Sequence, residues 1–479
     1  MHISRSLVFL SLCMSSVQSA IWQGWSKGRS AGVPPGNTAL DDWVEKQEAI
    51  SLKVILSNIN PPGTRRGFFA ASLSTSDPDY FYTWTRDAAK VAGVLVHAYD
   101  TSRRTDLHDV LIDYVEFQIG TQQTTTLCQC LGEPKFNPDG TGFSGEWGRP
   151  QNDGPAVRAS TFLLLSQALS QKKYVTNILR PAVYRDLDYI VDNWATPSFD
   201  LWEEVLGVHF YTLMVMRRAL LQGVAFSRSY EDAIHAANYQ GTIGSIEERL
   251  ESFWSPSRNY ILATQDRVRG YEKPSGLDIA IILAANQLSG SIGGSSSSIK
   301  DGFFTPDSDK VLATAAALEY SFGTIYPLNQ DLPSHLGIAI GRYPEDVYDG
   351  HRSSQGNPWF ITTSAFTELY YNIILAFKAR PTDITVNHIN RPFFVKFDSQ
   401  AVPGKIYVKA SDEYNLLLAD IAASADRFLA TVKYHEQANG SLSEQFNRWT
   451  GFQQGARDLT WSHAALISAT RARAGRPLA

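Results

Sequence analysis

Cysteine is scarce in this chain, with three in 479 residues. One of them, Cys13, lies in the first twenty residues, and Cys128 and Cys130 are separated by a single glutamine. A disulfide framework is thereby excluded, and stability must come from a large apolar core. A bridge across one residue would be strained, which leaves two thiols, a labile bridge and a staple all open for this pair. No second Cys/His cluster has the spacing of a zinc site, so no metal is expected. Basic blocks are also missing. Lys and Arg total 43 against 48 Asp and Glu, a net charge of −5. Without clustered cations a nucleic-acid partner is excluded, because phosphate contacts need them. Long apolar runs are absent too. Residues 279–288 are apolar but stop at the Ser/Gly-rich stretch 289–302, so no membrane span is expected. Strand-like alternation is rare, and KIYVK (405–409) is one of few examples.

What the chain does contain begins with a leader. Residues 1–5 are a short basic start, 7–14 are apolar but too short to span a bilayer, and SVQSA (16–20) offers small residues for cleavage after Ser19 or Ala20. Loss of Arg5 with that leader leaves 42 basic against 48 acidic residues, a net of −6. The reading is an exported protein. Its one N-glycosylation sequon, Asn439-Gly440-Ser441, requires an exposed loop.

Helical periodicity dominates the rest. Leu40, Trp43, Val44, Ile50, Val54 and Ile55 mark one amphipathic helix, Val91, Val94, Leu95 and Ala98 a second, and Val183, Leu187, Ile190 and Trp194 a third. Further helices are predicted near 104–121, 155–171, 203–226, 241–254, 275–288, 307–320, 360–378, 411–434 and 456–472, about twelve in all. The connections 125–154, 289–306, 321–358 and 380–410 are long and rich in Gly, Pro, Ser, Asp and aromatics. Long structured loops tend to carry function. The pattern suggests a helical toroid with its loops gathered at one mouth.

Three clusters have chemical potential. DLWEEV (200–205) sets two acids behind a tryptophan where a helix is expected to begin. Asp200 and Glu203 fit a capping box, yet Glu203 beside an aromatic wall also fits a general acid. Ser441-x-x-Glu444 presents the same choice between a cap and a second carboxylate, in a turn-rich loop flanked by Phe446 and Trp449. In YFYTWTRD (80–87), four aromatics precede an Arg–Asp pair. That is either a helix entry with Asp87 on the dipole, or a sugar pocket in which aromatic faces stack on pyranose rings and charged groups clamp hydroxyls. Similar mixtures recur at 147–154, 341–346 and 357–360.

Taken together, YFYTWTRD (80–87), LGEPKFNPDGTGFSGEWGRPQNDGPAVRA (131–159), DLWEEV (200–205), GRYPEDVY (341–348), GNPWF (356–360), SEQFN (443–447) and ARDLTWS (456–462) resemble the fungal glucoamylases of glycoside hydrolase family 15, over roughly 35–475. The resemblance implies an all-α (α/α)6 barrel with long active-site loops at one end. With the leader read above as a signal peptide at 1–20, one catalytic domain is expected over 21–479; no separate starch-binding domain is expected, since residues 21–40 are too few to form one. The resemblance also implies an exo-acting inverting hydrolase that releases β-D-glucose from non-reducing ends of starch, dextrins and maltooligosaccharides, faster at α-1,4 than at α-1,6 links. By motif position Glu203 is similar to the general acid and Glu444 to the general base. Tyr80 matches a tyrosine near the base, Arg86 and Asp87 the clamp on the terminal glucose, Glu204 and Arg342 contacts to the next sugar, and Trp147 the aromatic wall. Trp359 and Trp461 are implied to shape the pocket.

No cofactor is implied, because two carboxylates and water suffice. A monomer acting on carbohydrate is expected, secreted to the medium or alternatively sent to the vacuole or spore wall. Three places depart from the family pattern: Leu206 and the following Gly-Val-His-Phe, His463 after Trp-Ser, and the loop 349–355. They bear on substrate preference and outer subsites. The competing readings are a hydrolase of another linkage, such as trehalose or isomaltose, and an inactive glycan-binding protein, which turnover separates.

Overall fold

The computed structural model describes residues 38–101, 104–287 and 302–478. The leader, with Arg5 and Cys13, and most of the Ser/Gly-rich stretch lie outside the described residues. Twelve helices of seven residues or more account for nearly half of those described. They are α1 (Thr38–Ser57), α2 (Thr85–Thr101), α3 (His108–Gln123), α4 (Asp153–Ala168), α5 (Arg180–Asn193), α6 (Phe210–Ser229), α7 (Ala233–Glu251), α8 (Ala280–Asn286), α9 (Asp309–Ile325), α10 (Phe360–Ala379), α11 (Asp412–His435) and α12 (Thr460–Arg473).

The even-numbered helices form a closed ring, each packed on the next from α2 through α4, α6, α8 and α10 to α12, which returns to α2. Each odd-numbered helix packs outside, α3 to α11 against an inner helix next to it in the chain and α1 against α12. The fold is an (α/α)6 barrel. Sequence pattern explains which helix goes where. α5 buries Ala182, Val183, Asp186, Leu187 and Ile190, one stripe of a helix wet on its other side. α4 is buried on all faces from Asp153 to Leu163, as an inner helix must be. A buried two-pronged ion pair, Arg158 Nε to Asp186 Oδ2 at 2.8 Å and Nη2 to Oδ1 at 2.6 Å, pins α4 to α5.

All six inner helices begin at the same mouth. Arg86, Ile361 and Trp461, in the first turns of α2, α10 and α12, line one pocket, and Asp153 at the start of α4 binds Arg86. The positive ends of these helix dipoles therefore gather around that mouth, a setting that favours carboxylates.

The structure corrects two local expectations. The segment predicted as helix from 203 begins as an extended strand, Val205–His209, paired on both sides with Ser198–Phe199 and Thr264–Gly270, and α6 starts only at Phe210. Val205, Gly207 and His209 are buried while Leu206 and Val208 are half-buried, so a period of two outweighs helix propensity there. No helix follows Ser441. Gln445–Phe446 pairs with Gln453–Gln454 instead. Within KIYVK only Ile406–Tyr407 pairs, with Ile384–Thr385. Cys128 and Cys130 are disulfide-bonded, with Cα atoms 5.1 Å apart. Asn439 of the sequon is exposed. Among the described residues no helix is long and apolar enough to cross a membrane.

Candidate active site

A pocket of about 370 Å³ opens at the mouth where the inner helices begin. The ten residues to which the resemblance gives site roles line it: Tyr80, Arg86, Asp87, Trp147, Glu203, Glu204, Arg342, Trp359, Glu444 and Trp461. Trp84, Trp202 and Tyr348 line it as well and had been given no role. Each of the three lies inside a quoted string, but sequence alone does not tell which aromatic of a cluster faces the pocket and which faces the core.

Glu203 sits at the end of a tight turn, its amide donating to the Asp200 carbonyl at 2.9 Å. Its φ is +69°, a left-handed conformation that costs a non-glycine residue about 1–3 kcal/mol. The turn is held by its neighbours. The Asp200 carboxylate accepts the amides of Glu204 at 2.8 Å and Val205 at 3.0 Å. Asp200 thus stabilises a turn, where a helix cap had been one expectation. Lys273 Nζ bridges Asp200 and Asp278, each at 3.0 Å, and Asp278 receives the indole N–H of Trp202 at 2.8 Å. Burial works against its charge, yet Lys273, His209 and these amides bring the Asp200 carboxyl down to about 2. Gly148 passes directly over the turn, where a Cβ would lie 2.6 Å from the Glu203 carbonyl oxygen.

Arg86 joins this turn to the helix ring. Its Nη1 donates to Gln151 at 2.9 Å and Asp153 at 3.0 Å, and its Nη2 lies 3.3 Å from Glu203 Oε1. On the other side Lys135 is enclosed by aromatic faces, with Nζ 3.7 Å from the Trp147 ring centre, 4.0 Å from Tyr82, 4.1 Å from Phe143 and 4.8 Å from Trp84. Cation–π attraction of this kind fixes the Trp147 wall. Lys135 drew no attention in the sequence, although its place between the aromatic strings was a usable signal.

Glu444 hangs from a different frame. Its amide donates to Ala456, and the following Gln445 bridges to Trp359. Tyr80 Oη donates to Glu444 Oε1 at 2.8 Å and is 2.9 Å from Tyr348 Oη. Gly455, at φ +75°, leaves room for the carboxylate, since a Cβ there would come within 2.4 Å of Glu444 Oε2. Ser441 donates to Asp458 at 2.6 Å, which removes the capping-box expectation for this segment. Arg342 is gripped by Asp346 through Nε at 2.8 Å and Nη2 at 2.6 Å, and reaches Glu204 at 2.7 Å. Tyr343 donates to the other Glu204 oxygen at 2.6 Å.

Burial lifts both carboxyls, Glu203 to about 7 and Glu444 to about 8. The order is the reverse of what an acid at 203 and a base at 444 require. Neighbours act on both. After burial, Arg86, Lys135 and Gln151 favour the charge on Glu203 and the like charge of Asp87 opposes it. Tyr80, Arg342 and Tyr348 favour the charge on Glu444 and the like charge of Asp346 opposes it. The direct contact to Glu444, from Tyr80 at 2.8 Å, is shorter than that of Arg86 to Glu203 at 3.3 Å.

Four buried polar atoms of the pocket residues make no hydrogen bond: Trp147 Nε1 and Trp359 Nε1 have no polar partner, and Arg86 Nε and Asp87 Oδ2 meet only each other, as an ion pair at 3.5 Å. Natural interiors leave few such atoms. Donors and acceptors of both kinds, set among tryptophan faces, fit a neutral ligand rich in hydroxyls. Among the described residues no group of three or more His, Cys, Asp or Glu side chains is placed to hold a metal. The departures noted in the sequence stand outside the pocket lining. His209 binds Thr264 and the Ser198 carbonyl, and His463 binds Ser51 and Asp458.

Comparison with known proteins follows the same lines. Residues 49–471 match the family described as glycosyl hydrolases family 15. The chain is 51% identical over 460 residues to glucoamylase 1 of Rhizopus oryzae, covering 95% of this chain and 74% of that protein. It is 33% identical to the intracellular sporulation-specific glucoamylase of Saccharomyces cerevisiae over 481 residues, covering 91% and 85%. The solved glucoamylase of Saccharomycopsis fibuligera superposes with a TM-score of 0.80 at 33% identity, covering 92% of this chain and 96% of that one. That of Hypocrea jecorina gives 0.83 at 32%, covering 92% and 73%.

Proposed function

Since the chain belongs to the glycosyl hydrolases of family 15, we propose that its pocket hydrolyses glucans with Glu203 as general acid and Glu444 as general base. The enzyme is a starch-degrading glucan 1,4-α-glucosidase. In the proposed step Glu203 gives its proton to the glycosidic oxygen as the C1–O bond breaks. A water attacks C1 from the opposite face, and Glu444 takes the proton that water loses. One bond breaks, one forms, and the anomeric centre inverts. This route needs carboxyl groups about 6.5–9.5 Å apart, with water between.

The observation that carries the reading is the set of polar atoms left without a hydrogen bond on Trp147, Trp359 and the loosely paired Arg86 and Asp87. A terminal glucose satisfies them with its free hydroxyls. A chain running through would leave them unpaired, at about 1–3 kcal/mol each, so exo action follows. Tyr80 and Tyr348 hold Glu444 for the water. Arg342 keeps Nη1 free of protein partners among the described residues, which leaves it for the next sugar, with Glu204 locked beside it.

Proton NMR of early products from maltotetraose at mildly acidic pH tests this. β-Glucose appearing first, with maltotriose, is expected. α-Glucose first would overturn the base assignment at Glu444. Absence of product would move the substrate to another linkage. Export is part of the same proposal. Protein recovered from the medium should begin at Ala20 or Ile21, and an intact Met1 start would refute cleavage.

A further inference from the structure

A second cavity, of about 550 Å³, lies behind the floor of the substrate pocket. Trp461 and Ile361 line both spaces and form the partition between them. All six inner helices contribute to its wall, which runs down to Asp100 and His97 near the end of α2 and to Pro477 and Leu478 beyond α12. It therefore enters the barrel from the end opposite the substrate mouth.

Three charged side chains face this space from three helices: Lys90 on α2, Arg218 on α6 and Glu368 on α10. No two of them approach within the 4.0 Å of an ion pair. Arg218 is 5% exposed and its Nε has no hydrogen-bond partner. Lys90 makes no hydrogen bond to any described residue. Glu368 is already engaged, with Oε1 accepting the hydroxyl of Ser468 at 2.7 Å. Buried charges are normally paired with one another or with a ligand. Here two cations point into one cavity and the single carboxylate stands apart.

Protonation sharpens the imbalance. Burial, with Arg218 adding to it, lowers Lys90 to about 7, and burial lowers Arg218 to about 10 and raises Glu368 to about 7. Below pH 7 Lys90 is charged and Glu368 is neutral, so the cavity carries two positive charges. Asp153 acts on Lys90 from α4 but is bonded to Arg86, whose charge opposes it, and the Tyr211 hydroxyl faces Arg218 without a hydrogen bond. Burial, ahead of Arg471, lowers His97 to about 4, and Asp100 is exposed at the rim.

We propose that this cavity is a binding site for a small oxyanion, seated between Lys90 and Arg218 on the far side of Trp461 from the substrate pocket. The class includes sulfate, phosphate and short carboxylates. The site is independent of the roles given to Glu203 and Glu444.

Sulfate is the probe, because its charge is constant over the relevant range. Equilibrium dialysis of the intact enzyme with labelled sulfate at pH 5.5 should find one ion per chain, undisturbed by saturating glucose. Lys90→Met should weaken binding roughly ten- to a hundred-fold, the effect of losing one charge-assisted contact. Glu368→Gln should retain it. Raising the pH through 7 should weaken binding, since Lys90 loses its charge as Glu368 gains one. No bound sulfate, sulfate displaced by glucose, or equal binding by K90M would each overturn the proposal. If K90M does not fold, the glucose competition and the pH dependence decide on the wild-type protein.

Discussion

The turns that carry the two carboxylates differ in almost every respect. Glu203 sits in a strained turn stitched by charges, with Asp200 accepting two amides, Lys273 bridging Asp200 to Asp278, and Arg86 and Lys135 beside the carboxyl itself. Glu444 rests among uncharged phenols, Tyr80 and Tyr348, and occupies space that Gly455 leaves open. The first turn is assembled from the middle of the chain. The second is tied to its two ends: Gln47 Nε2 reaches the Gly440 carbonyl at 2.8 Å, and Asn58 reaches Asp458 and Thr460. One carboxyl is thus held mainly among charges, the other mainly by hydrogen bonds from phenols and by room, with Arg342 further back. An inverting hydrolase needs that asymmetry, because it must keep a proton on one acid and off the other at the same pH.

The contrast can be tested from its largest consequence down. Glu203→Gln and Glu444→Gln should each lower kcat by about 10²–10⁴, with KM for maltooligosaccharides little changed. A variant with wild-type turnover would remove that residue from the chemistry. Gly455→Ala should cost about a hundred-fold in kcat, since its Cβ displaces the Glu444 carboxylate, while Gly455→Ser gains nothing back. An active G455A enzyme would show that the base has slack.

Tyr80→Phe should lower kcat/KM about ten-fold by removing one hydrogen bond to a charged group. It also raises the Glu444 pKa, because a donor that favoured the ionised form is gone. The acid limb of the pH profile therefore moves to higher pH. Lys135→Met has the smallest expected effect, a few-fold loss of kcat/KM. It removes a positive charge that lowers the Glu203 pKa, so the alkaline limb moves up and the bell widens. If Y80F shifted the alkaline limb and K135M the acid one, the two roles would be exchanged.

Much of this was legible in the sequence for a physical reason. Burying a helix on a ring requires apolar residues at a helical period, and Val183, Leu187 and Ile190 on α5 display it openly. Residue type also marked the pocket, because arginines and carboxylates among tryptophans make poor packing material. The local geometry was not legible. Asp200 offers its oxygens to the next amides whether the chain continues as helix or, as here, as strand, so Asp-x-x-Glu alone does not separate the two. The choice is made by pairing with Thr264–Gly270, some sixty residues away. Lys135 escaped notice because its importance comes from four rings that only the fold brings together.

The closed ring has a consequence for how the molecule comes into being. α1 and α2 pack against α12, so the first helices made must wait for the last. Until Thr460 leaves the ribosome and meets Asn58 and Ala71, the nascent chain is an open crescent with its acid turn attainable and its base turn without a seat. Hydrolysis is thereby a property of the finished chain alone. A product truncated anywhere before α12 lacks the seat for its base.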